Sequence, residues 1–337
     1  MKIASNFSLK SYNTFGFEST AKYWAEFSSL DELRDLYTQK KWHDTPKYLL
    51  SGGSNVLLPD MIEGLVVHPV ISGIELVAQT EKSVTLKVGA GVDWDEFVAY
   101  TVAQGWNGLE NLSYIPGMVG TSPIQNIGAY GVEVKDAIVQ VAYLHTKSLK
   151  EEVLSNRECQ FGYRDSIFKN QLKGTAVITH VWFQLKKTGE LNMGYGHLRN
   201  AVEALGEPSL ARVREAVTEI RRNKLPEPEE LGSAGSFFKN PYVYSEQLAD
   251  LLKQNPQMPN YAVGGESHKI PAGWLIDQCG WKGYRQGDAG VHKQQALVLV
   301  NYGKATRNDI LDLAKRIQQS VKEKFGIELH REVNLLP

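Results

Sequence analysis

Between Tyr114 and Gly131 the chain reads YIPGMVGTSPIQNIGAYG, four glycines and two prolines in eighteen residues with neither a helical nor a strand period. Glycine enters left-handed backbone freely and lets the main chain come close to another surface, so this density in an otherwise regular sequence implies a loop held against something. Its apolar members, Ile115, Met118, Val119, Ile124 and Ile127, agree, because a solvated connection has no use for them. Ser122, Gln125, Asn126 and the glycines can line a flat ligand. A second small-residue segment, Ser51-Gly52-Gly53-Ser54-Asn55, lies between the apolar runs Tyr48–Leu50 and Val56–Leu58. Successive backbone N–H groups in such a loop can converge on phosphate oxygens. By local pattern alone a hairpin turn is the stronger reading.

The 337 residues, 42% apolar, suffice for two or three domains at roughly 100–200 residues each. Thirty-seven basic against 38 acidic side chains leave a net charge of -1, so no global field draws the chain to nucleic acid or to an anionic membrane. Cys159 and Cys279 are too few for a disulfide framework and lack zinc-site spacing, so no metal is expected and a reducing compartment fits. The longest purely apolar run, Ala296–Val300, is far below the roughly 18 residues of a membrane span, and the first twenty residues hold no signal-peptide core. A soluble, cytoplasmic protein is expected. GxGxxG after a strand, GxxxxGK[ST], GxSxG and HExxH are all missing, which disfavours Rossmann dehydrogenases, P-loop enzymes, α/β-hydrolases and zincins.

Strand periods run through Val84, Leu86 and Val88, through Val139, Val141 and Tyr143, and through Val177, Val181, Phe183 and Leu185. Asp93 and Asp95 open a helix whose buried face is Trp94, Phe97, Val98 and Thr101, ending at Gly105. After Thr188 the character changes: Val213, Ala216, Val217 and Ile220 have helical spacing, and Pro226 and Pro228 stop that helix in a linker. Ser245 can cap a helix through Leu248, Leu251 and Leu252, and Gln295–Asn301 reads as a buried strand. In the last helix Thr306 and Asp309 pair as a capping box, Ile310, Leu313, Ala314, Ile317 and Val321 form the stripe, and Gly326 terminates it.

Three further clusters carry chemistry. Phe161-Gly162-Tyr163-Arg164-Asp165-Ser166-Ile167-Phe168-Lys169 sets an arginine among aromatics, able to bridge a carboxylate with its planar fork or, equally, to pair with Asp165 at the surface. Gly232-Ser233-Ala234-Gly235-Ser236-Phe237-Phe238-Lys239-Asn240-Pro241 puts a hydroxyl and several donors on a tight bend, in which Ser236 can also be a plain turn residue. Glu332 lies in a short terminal strand pattern, Leu329–Asn334, where a solvated carboxylate is the default.

Together these segments resemble the UDP-N-acetylenolpyruvoylglucosamine reductase family, from Asn13-Thr14-Phe15-Gly16 to Glu332. GGSNVLL, IPGMVGTSPIQNIGAYG, FGYRDSIFK, GSAGSFFKNP, AGWLIDQCG and VHKQQALVLVN follow the family's order and spacing, and none of them alone would suffice. The resemblance implies an α+β fold: a two-lobed FAD-binding domain of the vanillyl-alcohol-oxidase type over residues 1–70 and 71–215, with residues 326–337 rejoining the second lobe, plus a smaller α/β substrate-binding domain over 225–325. Gly194-Tyr195-Gly196-His197-Leu198 is similar to the tyrosine loop of the family's type I branch.

It implies non-covalent FAD, NADPH as co-substrate, UDP-N-acetylglucosamine enolpyruvate as substrate and UDP-N-acetylmuramate as product. By position Arg164, Ser236 and Glu332 are the expected catalytic residues, Ser236 as proton donor to C2, with Lys239 supporting its alkoxide from one helical turn away. Gly52, Gly53, Ser54, Asn55, Ser122, Gln125, Asn126, Gly128, Tyr163 and Arg221 are expected at the cofactor. Tyr195, Lys224, Lys239, Asn240 and Gln295 are expected at the substrate. A monomer is expected, with neither nucleic acid nor membrane as partner. Other readings are an FAD-linked alcohol or hydroxy-acid oxidase, disfavoured because no His or Cys motif for covalent flavin attachment is present, and a nucleotide-binding module without turnover.

Overall fold

The computed structural model describes residues 2–337. Contacts divide the chain into two units built from interleaved stretches. The first comprises the residues up to Phe7, Ala21–Gly52 and Glu63–Arg221; the second comprises Ser8–Thr20, Gly53–Ile62 and Arg222–Pro337. Stretches on both sides of residue 70 thus share the first unit. Residues 326–337, which the sequence reading assigns to the second flavin lobe, group with the second unit, where Asn334–Leu335 pairs in parallel with Val56–Leu57.

The first unit holds a five-stranded antiparallel sheet ordered Glu151–Ser155, Ile138–His145, Ala176–Lys186, Ser83–Gly89, Ile74–Gln79. A four-stranded sheet carries Lys47–Leu49 in parallel beside Met61–Pro69. Helix α1 (Leu30–Thr38) is capped by the Ser29 hydroxyl, and α2 (Trp94–Ala103) by the Asp93 carboxylate, which accepts the Glu96 N–H. Trp94, Phe97, Val98 and Thr101 are buried, as their period requires. Helix α3 (Leu198–Ala204) places Leu198 and Val202 in one cluster with Val213, Ala216 and Val217 of α4 (Leu210–Lys224).

Strict alternation fails in two strands. Ile138, Val141 and Tyr143 share the core with α2 while Val139 is only half-buried, because the register slips between Ile138 and Gln140. A second slip, between Ala142 and Tyr143, separates Val177 from Val181, Phe183 and Leu185. Val177 joins Leu144 in the cluster of Phe27, Leu33 and Leu36; the other three join the α2 core. One extra residue in a ladder turns every later side chain to the opposite face.

In the second unit a four-stranded antiparallel sheet runs Gly232–Ser236, Val298–Asn301, Ala289–Val291, Arg285–Gln286. A three-stranded sheet joins Tyr242–Tyr244, Ser267–Lys269 and Tyr261–Ala262. Helices α5 (Ser245–Gln254), α6 (Ala272–Gln278) and α7 (Arg307–Phe325) close a core around Phe237, Phe238, Ile270, Leu275 and Ile317. The Thr306–Asp309 capping box and the left-handed Gly326 (φ 66°) bound α7 as expected.

Three local expectations change. Ser245 is inside α5, with Tyr244 at the cap position, and its hydroxyl donates to the Glu266 carbonyl. Only Val298–Asn301 of the Gln295–Asn301 run is strand, since the Gln295 carbonyl accepts the Val298 N–H and closes a turn. Ser51–Asn55 is no hairpin turn, because the strands flanking it pair elsewhere, with Met61–Pro69 and with Asn334–Leu335. Helices and predominantly antiparallel sheets are mixed along the chain, which is the α+β class. Among the described residues no helix is long and apolar enough to cross a membrane.

Candidate active site

In the first unit the two glycine segments approach each other backbone to backbone. A Cβ on Gly52 would lie 2.9 Å from the Gly117 Cα. Part of the glycine density is therefore demanded by the protein's own packing. Ser51, at the head of this loop, has a buried hydroxyl with no hydrogen-bond partner among the described residues.

Two side chains expected at the cofactor make hydrogen bonds within the protein. Ser122 is buried and its hydroxyl donates to the Val119 carbonyl at 2.8 Å. Asn126 is fully buried: its amide nitrogen donates to Glu133 Oε2 and the Gly162 carbonyl, both at 2.9 Å, and its oxygen accepts the Lys135 N–H at 3.1 Å. These side chains tie the loop to its own turns and to the segments at Glu133, Lys135 and Gly162. Gln125 is half-buried.

Arg164 stands at the tip of a tight turn in which Gly162 and Asp165 exchange both backbone hydrogen bonds, at 3.0 and 3.2 Å. Its φ is +54°, its guanidinium carbon lies 5.4 Å from the Tyr163 ring centre, and it donates to the carbonyls of Gly128 and Asn126. The Asp165 carboxylate receives the Asn170 amide, 3.1 Å from each oxygen. The arginine is thus turned toward the glycine loop. Seven described non-glycine residues have positive φ, and Tyr114, Asn126, Tyr130 and Arg164 are four of them. Left-handed backbone at such residues costs on the order of 1–3 kcal/mol each and collects where function fixes the geometry.

Arg221 of α4 donates Nε to the Tyr114 carbonyl at 2.8 Å. Burial pushes its pKa down; Tyr130 and Asp95 support its charge and Arg164 opposes it. The Tyr195 ring, half exposed, meets Tyr130 edge-on with centroids 6.1 Å apart. Asn111, which the sequence reading passes over, ties these loops together: its amide nitrogen donates to the carbonyls of Tyr130 at 2.9 Å and Asn192 at 2.7 Å. The sequence reading takes Asp95 only as a helix opener and passes over Arg214, for which the one available signal is the seven-residue spacing from Arg221, two turns along one face of α4.

In the second unit the continuation of the Ser51–Asn55 loop is linked through Thr14 to the strand that carries Ser236, and directly to the terminal strand that follows Glu332. Gly53 has φ +61°, and a Cβ there would fall 1.9 Å from the Tyr12 carbonyl oxygen. Its own carbonyl accepts the Thr14 N–H at 3.2 Å, and the Thr14 carbonyl accepts the Ser233 N–H at 2.9 Å. Two residues on, the Asn55 carbonyl accepts the backbone and side-chain N–H groups of Asn334, at 3.1 and 3.2 Å. Ser54 and Asn55 are half-buried.

Gly232–Ser236 is a strand rather than a bend opening a helix, with a register slip before Ser236 and Gly235 at φ +65°. Ser236 is exposed, while Phe237 and Phe238 behind it are buried anchors. The Glu332 N–H donates to the Phe237 carbonyl and the Lys239 N–H to the His330 carbonyl, each at 2.9 Å. This short antiparallel pairing puts the backbones of Ser236, Lys239 and Glu332 side by side. Lys239 therefore follows Ser236 on extended chain, not one helical turn away.

Asn240 Oδ1 accepts the Ala272 N–H at the start of α6 at 2.9 Å, and Gln295 Oε1 accepts the Leu297 N–H at 3.4 Å. Lys224 is exposed at the end of α4. The structure brings the second-unit residues into two places, around Ser236 and around the α6 start. It gives Tyr163, Arg164, Arg221 and Tyr195 positions around the glycine loop of the first unit.

Residues 227–336 match the family model described as UDP-N-acetylenolpyruvoylglucosamine reductase, C-terminal domain, and residues 21–147 match an FAD binding domain. The chain is 46% identical over 339 aligned positions to the UDP-N-acetylenolpyruvoylglucosamine reductase of Flavobacterium johnsoniae, covering all of both chains. It is 47% identical to that of Chromobacterium violaceum, covering 100% of this chain and 99% of the relative. A solved UDP-N-acetylenolpyruvylglucosamine reductase from Thermus caldophilus superposes with a TM-score of 0.69 at 25% identity, over 100% of this chain and 98% of the other. With two such relatives matched from end to end, and the C-terminal model falling on the segment that carries Ser236 and Glu332, the chain belongs to the UDP-N-acetylenolpyruvoylglucosamine reductase family.

Proposed function

We propose that this chain reduces the enolpyruvyl ether of UDP-N-acetylglucosamine to UDP-N-acetylmuramate, a precursor of peptidoglycan, with FAD as cofactor and NADPH as reductant. The observation that carries this reading is the end-to-end identity with reductases of that name. The FAD-binding match spans both glycine segments, Ser51–Asn55 and Tyr114–Gly131. The residues there fit a flavin dinucleotide: small side chains leave backbone N–H groups able to meet phosphate, and the buried Ser51 hydroxyl lacks a partner. Leaving such a group unsatisfied costs about 1–3 kcal/mol, so a ligand oxygen is a natural acceptor for it. Gly52, Gly53, Ser54, Asn55, Gln125, Gly128 and Tyr163 are assigned to this role, with Ser122, Asn126 and Arg221 holding the loop.

FAD, when bound, supplies hydride transfer from NADPH to C3 of the enolpyruvyl group. The chain's own part is charge and proton. Hydride arriving at C3 leaves negative charge on C2 and the adjoining carboxylate, and a donor aimed there stabilises the transition state. Arg164 is assigned to that carboxylate because its fork presents two parallel N–H groups. Ser236 is assigned to protonate C2: a hydroxyl is a weak acid, yet a carbanionic centre is basic enough to take its proton at hydrogen-bond distance. Glu332, whose backbone is fixed beside Phe237, is assigned to orient the substrate through a shared donor. Lys224, Lys239, Asn240, Gln295 and Tyr195 are assigned to the UDP portion. All these residues lie on one chain, so a monomer is sufficient, and the reading places it in the cytoplasm, where UDP-sugars and NADPH are made.

The test is NADPH consumption with and without UDP-N-acetylglucosamine enolpyruvate. Stoichiometric, substrate-dependent oxidation is expected; rapid NADPH oxidation by oxygen that ignores the substrate would favour an oxidase. Arg164→Lys is expected to lower kcat about 100-fold while NADPH still reduces the flavin at the normal rate, since charge is kept and the fork is lost. Stopped-flow absorbance of the two half-reactions checks it, and unchanged turnover would reject the assignment.

A further inference from the structure

We infer that Asp95 is a positioning residue for the cofactor: its carboxylate holds the Tyr114 peptide in its left-handed conformation and so sets the entrance of the glycine loop. This rests on the FAD reading above.

The peptide of Tyr114 is gripped from both ends. Its N–H donates to Asp95 Oδ1 at 2.5 Å, and its carbonyl accepts Arg221 Nε at 2.8 Å. Tyr114 has φ +58°, a conformation that a bulky side chain avoids without outside support. Asp95 is itself oriented by Arg214, whose two terminal nitrogens reach its two oxygens at 2.6 and 2.7 Å. A bidentate pair of this kind fixes direction as well as distance. The carboxylate belongs to the first turn of α2, and the same turn holds the loop again three residues later, where the Trp94 N–H donates to the Gly117 carbonyl at 3.0 Å.

Gly117 is the residue on which Gly52 rests, with 2.9 Å between its Cα and a Cβ built on Gly52. A shift at Tyr114 therefore reaches both glycine segments that the FAD reading uses. Burial alone would push the Asp95 pKa up, but hydrogen bonds from Arg214 and Tyr114 and the charges of Arg214 and Arg221 outweigh it and hold the pKa down. The carboxylate stays ionised through the neutral range.

The experiment compares Asp95→Ala, Asp95→Asn and Arg214→Met by titrating apoprotein with FAD and following flavin fluorescence, alongside thermal unfolding of the apoproteins. Asn keeps an acceptor for the Tyr114 N–H and Ala does not, whereas both lose the ion pair. Asp95→Ala is expected to weaken FAD binding tenfold or more, and Asp95→Asn and Arg214→Met less than about fivefold. Equal affinity of the Ala and Asn variants would overturn the inference and make Asp95 a stability residue only. Should Asp95→Ala not fold, the Asn variant decides alone, because a loss beyond tenfold with the acceptor retained contradicts it. Failure of wild-type apoprotein to bind FAD would instead defeat the cofactor reading itself.

Discussion

Ser236→Ala is expected to leave reduction of the flavin by NADPH unchanged and to slow its reoxidation by the enolpyruvyl substrate by about 100- to 10,000-fold, the range of a single proton donor. The substitution should be quiet structurally. Ser236 is exposed, the strand behind it is anchored by the buried Phe237 and Phe238, and the hydrogen bonds that fix this segment come from the backbone. A loss confined to the second half-reaction would thus report the hydroxyl alone. Stopped-flow traces of both half-reactions distinguish the cases: equal slowing of the two would make Ser236 a structural residue, and normal reoxidation would remove the proton-donor role.

Gly53→Ala is expected to cost at least about 3 kcal/mol of stability and to yield protein without bound flavin, because two penalties coincide. Left-handed backbone at alanine costs roughly 1–2 kcal/mol. The new methyl would also sit 1.9 Å from the Tyr12 carbonyl oxygen, and that segment cannot move aside cheaply because Thr14 is bonded to Gly53 on one side and Ser233 on the other. Gly174→Ala is the control: φ is +73° there with open space around the Cβ, so only the backbone cost should appear. Urea unfolding of both variants and the visible absorbance of purified protein measure the difference. Similar losses in the two variants would show that the loop yields.

Much of the scaffold was legible from residues. The α7 cap, stripe and stop, and the α2 face, depend on interactions within a few positions of one another, which a linear reading captures. The strands at Ile138–His145 and Ala176–Lys186 were partly misread because a bulge is decided by the partner strand. The Ser51–Asn55 loop read as a hairpin for the same reason: the strand before it pairs with Met61–Pro69 and the strand after it with the far end of the chain.

The candidate site divides similarly. Which segments matter followed from composition and from family resemblance, while what each side chain does within them did not. Asn126 carries the amide expected of a ligand donor, yet every group of it is consumed by Glu133, Gly162 and Lys135. Asp95 and Arg214, 119 positions apart, gave no local hint of pairing.

The bond between Asn334 and Asn55 spans 279 residues of sequence. On a ribosome adding about 5–20 residues per second, the Val56–Leu57 edge waits roughly 15–60 s for its mate. The first unit is complete once Arg221 has emerged, but the second must keep an early segment uncommitted throughout that interval. An unsatisfied strand edge is a template for wrong pairing, so newly made chains of this protein carry an aggregation hazard at Gly53–Ile62, and slowed translation of the 3′ portion of the message would lengthen it.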